Sequence, residues 1–150
     1  MTPRRYGFSG TITSAATKTI WSVVGTSAVR PAIYDVILSS NATPADNSSE
    51  WQLLRCTAAG TATAVTPTAV DSGDPAATGV CGKNHTVEPT YSPAVSLLDF
   101  AYNQRATFRW VAAPGSEISC PATAANGVGL QCQGVGGAGV AVISTVLFME

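Results

Sequence analysis

From Arg105 to Val111 the chain alternates: Ala106, Phe108 and Trp110 fall on one side, and Arg105, Thr107, Arg109 and Val111 on the other. A strand repeats its side-chain direction every two residues, so this run predicts two aromatics facing a core and two guanidiniums facing solvent or a partner. Pro114-Gly115 then ends the strand, because proline lacks the ladder N–H and glycine supplies unusual turn dihedrals. Nowhere does an apolar helical period persist over three turns. Short β segments separated by Gly, Pro and Asn turns recur every eight to fifteen residues or so. The sequence therefore predicts an all-β, antiparallel sandwich, jelly-roll-like, in one domain.

Residues 4–13 read as an arm leading into a weak first strand, with Tyr6, Phe8 and Gly10 on one side. As a docking arm, Arg4 and Arg5 would find carboxylates while Tyr6 and Phe8 fill a partner's pockets. Residues 16–24 alternate with both faces partly apolar, as in a strand held between layers. Pro31 in the third strand, 28–39, argues for an edge position or a bulge at that point, and Tyr34, Val36 and Leu38 are expected to share a face. Trp51–Thr57 forms a fourth strand, with a short helical lead-in expected around Ser49.

Residues 58–92 are punctuated by Pro67, Gly73, Pro75, Gly79 and Gly82, and predict a loop-rich insertion with short strands near 63–70 and 85–88. Residues 94–102 feed the opening motif through Asn103-Gln104, which suits a tight hairpin. The last run, AVISTVLFM, is apolar on both faces and belongs in the middle of a sheet or against another subunit. The glycine-rich 134–139 before it is a link rather than a dinucleotide fingerprint, since no helix follows.

Charged residues make up 11% of the 150, against about 25% in an ordinary globular chain. Eight Lys+Arg face nine Asp+Glu without clustering, which argues against a nucleic-acid surface. So little ionised exterior gives weak colloidal repulsion and favours an oligomer or a place in an assembly. The opening MTPRRYGFSG has no apolar run behind its arginines, and no stretch is long enough to span a bilayer; a soluble, cytoplasmically made chain without a membrane partner is expected.

Chemistry is sparse. Cys56, Cys81, Cys120 and Cys132 permit two disulfides in three pairings, but reduced thiols are the expectation in a cytoplasm. Cys120 and Cys132 bracket a turn-rich segment and are the pair expected to bond in an oxidising medium. None of the spacings resembles a zinc site, Asp71 and Asp74 lack the calcium-loop pattern, and no metal or cofactor is expected. His85 is the only histidine, so a hydrolase would need it within reach of a Ser, Cys or Asp. Trp21, Trp51 and Trp110 sit in strand patterns that need core residues, leaving Tyr91 as the aromatic a sugar-binding loop could expose. The expectation is a protein without catalytic residues.

The phrases RATFRWVAAPG, RRYGFSGTIT, ATKTIWSVVG, VRPAIYDVIL and PATAANGVGL resemble those of small decoration (cement) proteins of tailed bacteriophages, notably those found with cyanophage and related head genes. The resemblance covers most of the chain as texture and carries no residue with an assigned chemical role. It implies a β-rich virion protein on the capsid exterior, a homodimer or homotrimer, that stabilises the shell by bridging neighbouring subunits of the major capsid protein. Arg4, Arg5, Tyr6, Phe8, Arg105 and Arg109 are the expected contact residues. The alternative is a carbohydrate-binding or adhesion module of a head fibre or spike.

Overall fold

Alternating apolar residues and closely spaced turn formers leave this chain one way to bury its surface: two sheets face to face. The computed structural model describes residues 3–150, apart from the side chains of 93–95. Twelve strands form: β1 Arg5–Thr13, β2 Thr19–Val24, β3 Ala32–Ser40, β4 Ser48–Ala58, β5 Thr61–Val65, β6 Thr68–Ala69, β7 Val80–Val87, β8 Thr90–Asn103, β9 Thr107–Val111, β10 Ile118–Ser119, β11 Gly127–Val135 and β12 Ala141–Met149. There is no helix among the described residues. Sheet A runs β6-β1-β12-β3, with β9 and β10 end to end along the far edge of β3. Sheet B runs β5-β7-β2-β11-β4-β8, and every pairing in both sheets is antiparallel. Without β5, β6, β7 and β10, what remains is β1-β12-β3-β9 facing β2-β11-β4-β8, the strand order of a jelly roll.

The insertion thus lengthens both sheets at the same end of the sandwich: β7 and β5 extend sheet B beyond β2, and β6 extends sheet A beyond β1. Its β7 is eight residues long, more regular than the punctuated sequence suggests. Two side chains tie the intervening loop down. Tyr6 donates its hydroxyl to the Pro75 carbonyl at 3.0 Å, and the Glu150 carboxylate accepts the Thr78 and Gly79 amides at 2.9 and 2.6 Å.

The core lies between the sheets. Sheet A supplies Tyr6, Phe8, Ile33, Val36, Leu38, Val142, Val146 and Phe148; sheet B supplies Trp21, Val23, Trp51, Leu53, Val128 and Leu130. Each such side chain removed from water contributes about 1.5–3 kcal/mol before conformational entropy is subtracted. Trp21 Nε1 donates across the gap to Ser144 Oγ at 2.9 Å, and that hydroxyl donates to Ile37 O at 2.8 Å. Gly10 is required where β1 passes β2, because a Cβ there would lie 2.7 Å from the Ile20 carbonyl oxygen.

Several local expectations are corrected. Residues 5–8 are no arm: they open β1, paired with β12 from Arg5↔Met149 through Phe8↔Val146, while residues 1 and 2 lie outside the described residues. Pro31 precedes β3, and the bulge comes at Tyr34, so Ile33 rather than Tyr34 joins Val36 and Leu38 in the core. Ser49 and its neighbours are already strand, without a helical lead-in. Asn103-Gln104 makes no hairpin, because β8 pairs with β4 in sheet B and β9 with β3 in sheet A. That turn carries the chain between sheets, anchored by the Gln104 amide on Asn47 O at 2.9 Å, with Phe100 stacked on Phe108 at 3.5 Å between centroids.

Candidate functional site

The lone histidine does meet a nucleophile. β7 pairs with β2 so that Gly82 opposes Ser22. Two residues on, Asn84 takes a positive φ of 52°, a conformation asparagine tolerates better than most side chains. That kink turns His85 back over β2, and its Nε2 lies 3.0 Å from Ser22 Oγ. Around the pair, Glu88 accepts the Thr19 amide at 2.8 Å and faces Lys18 Nζ at 3.3 Å, while Tyr91 and Thr19 share a hydroxyl hydrogen bond of 2.8 Å. The insertion therefore lays a polar layer over the outer face of β2 and β11, which is why all six β2 residues are buried.

A serine beside an imidazole is half of a nucleophilic device; the other half is an acceptor that orients the ring. His85 Nδ1 is buried without a hydrogen-bond partner among the described residues, although Glu88 and the backbone of Thr19 and Ala59 are near enough to oppose its loss of charge. Burial, the larger effect, pushes the imidazole below its ordinary pKa. Ser22 and His85 are 3% and 5% exposed, and neither lines the two clefts described below. The geometric condition for a hydrolase is met; the pair is arranged as a buried clasp between β2 and β7.

The expected contact residues scatter. Tyr6 and Phe8 are 0% and 8% exposed within their own core, so they cannot fill a partner's pockets. Arg4 lies 3.9 Å from Asp74, and Arg5 sits over the Tyr34 ring at 5.9 Å. Arg109 is spoken for within the chain: Nε and Nη2 reach the two oxygens of Asp35 at 3.1 and 2.7 Å. This fork holds the Arg109 guanidinium even more firmly protonated than usual. Arg105 stays exposed, its Nε 3.5 Å from Pro44 O.

The Cys120–Cys132 bond is not formed, and all four thiols are free and buried. Cys120 Sγ contacts Val23 O at one end of β2, whereas Cys132 pairs with Trp51 and donates its amide to the Lys18 carbonyl at the other. Burial raises every one of these thiols, Cys120 up to about 12, so none is a ready thiolate. Tyr91, the aromatic that a sugar-binding loop would display, packs inward over Gly129 with its hydroxyl on Thr19. Asp71 closes a plain turn, accepting the Gly73 amide at 2.9 Å. No group of three or more ligating side chains converges among the described residues.

Two clefts stand out. The larger, about 570 Å³, carries both signs of charge, with Arg4 and Arg5 beside Asp71 and Asp74. The smaller, about 330 Å³, is lined by Arg30 and Arg55 among neutral residues. Periodicity gave no hint of either pair, since each joins residues distant in sequence. No helix is long and apolar enough to cross a membrane among the described residues. No family model matches the sequence, and no curated protein matches it either.

Proposed function

We propose that this protein is a structural virion component that binds the outer surface of an assembled tailed-phage capsid and stabilises it by bridging neighbouring capsid subunits. The observation that carries the reading is the outer face of sheet A. Ile37, Ile143, Leu147 and Met149 alternate with buried neighbours and are only partly covered, and Val111 beside them is 54% exposed. Among the described residues this face carries one ion pair, Arg109 with Asp35, neutralised internally, and Arg5 beside Met149 lies over the Tyr34 ring at its margin, so the centre of the face holds little uncompensated charge. The contact surface is thus the sheet face, and the first residues of β1 are structural. Many copies tethered at several points gain avidity, and binding the assembled shell in preference to free subunits stabilises the shell.

Purified expanded capsids supply the test. Ile143→Glu and Leu147→Glu place charge on this face without touching the core, and both should abolish co-sedimentation with shells while leaving the melting temperature nearly unchanged. Undiminished decoration by both variants would refute the face assignment. Glycan binding with no capsid binding would replace the reading by an adhesion module, and ester hydrolysis lost in Ser22→Ala would replace it by an enzyme.

A further inference from the structure

The smaller cleft sits where the end of β4, the start of β11 and the strand β10 meet. Two guanidiniums enter it from different parts of the chain. Arg30 Nε donates to Cys120 O at 3.2 Å, and Arg55 Nη1 donates to Ser119 O at 3.0 Å. Successive carbonyls of one short segment thus each anchor one guanidinium, and both side chains line the same cleft. Each guanidinium carries five N–H donors and spends one here, leaving most of its donor fork unused. Neither arginine has a carboxylate partner among the described residues, and no Asp or Glu lines the cleft. The rest of the wall is neutral and polar, with Asn126 and the hydroxyl-bearing Thr57, Ser92 and Ser119.

We propose that this cleft is a binding site for a doubly charged tetrahedral oxyanion, a phosphate or sulfate group. Two positive charges lining one cleft without a counter-ion disfavour each other, and a dianion between them offsets that while engaging the idle donors. A single carboxylate would neutralise only one of the two. Volume agrees: the cleft admits a small oxyanion with room for a substituent, and Arg30 is exposed enough to let one enter. The larger cleft does not compete for such a ligand, since Asp71 and Asp74 already supply its anions. This site lies away from the Ile143–Leu147 face, and it stands whether or not the protein decorates a capsid.

Equilibrium dialysis of the full chain against radiolabelled inorganic phosphate tests the proposal, with melting curves in phosphate, sulfate, acetate and chloride at matched ionic strength. The expected result is saturable binding of one phosphate per chain, displaced by sulfate but not by acetate. A saturable rise in melting temperature of about 5–10 °C should accompany a hundredfold excess over the dissociation constant. Arg30→Gln and Arg55→Gln should each weaken binding at least tenfold, while Arg105→Gln, outside the cleft, should leave it unchanged. Phosphate also raises melting temperatures by exclusion from protein surfaces, an effect that does not saturate. A rise that is linear in concentration and equal in all four proteins would overturn the proposal. So would acetate displacing phosphate as well as sulfate does.

Discussion

Ser144 is a hydroxyl in the middle of an apolar strand, and its place explains itself through two partners. It accepts from Trp21 and donates to Ile37 O, satisfying an indole N–H that would otherwise be stranded between the sheets. Ser144→Ala should lower unfolding free energy by about 1–3 kcal/mol in denaturant titrations, because the indole donor is left unpaired. His85 gives a pH-dependent term. Burial holds its folded pKa below the ordinary imidazole value of 6.5, so the unfolded chain binds the proton more readily. Its contribution is complete above that value and is lost as pH falls through and below it. Melting temperature should therefore drop between about pH 7 and 5, and His85→Gln should flatten that part of the profile. At this scale the sequence was only half legible. Phe108 and Trp110 alternate as read, but Ser22 and His85 are 63 positions apart, and only the β2–β7 register and the Asn84 kink bring them together.

Elements were more readable than the pairs they make. β12 was recognisable as central from its two apolar faces, and it does lie between β1 and β3. The bulge in β3 was not, since one extra residue inverts the faces that follow without leaving a compositional mark. Nor was the crossing at Asn103-Gln104: a short polar turn after a long strand reads locally like a hairpin, and the competing sheet decides otherwise. The insertion's hold on sheet B can be tested at Gly129. A Cβ there would collide with the Tyr91 hydroxyl and approach Trp21 O at 3.3 Å. Gly129→Ala should cost about 1–3 kcal/mol by overpacking. In a Tyr91→Ala background the same change should cost clearly less, a coupling that a double-mutant cycle measures directly.

For the molecule as a whole, the sandwich followed from strand spacing and turn chemistry, which register errors do not disturb. The clefts did not, because they form where ends of several strands meet. The interior also sets an alkaline limit. Burial raises all four thiols above the ordinary value of 9.0, so the unfolded chain loses those protons first. Stability should be intact below about pH 9 and fall as pH rises beyond it, and thiol reagents should label the four cysteines only in denaturant.

The pairing of Arg5 with Met149 fixes more than sheet A. Its two strands bracket almost everything else, so the ring they close spans nearly the full chain. Entropy opposes such a closure only logarithmically in length, yet the search for it is slow when few local contacts reward the early steps. This protein is accordingly built to assemble late and all at once, on the millisecond-to-second scale of sandwiches and barrels rather than the microseconds of helical bundles.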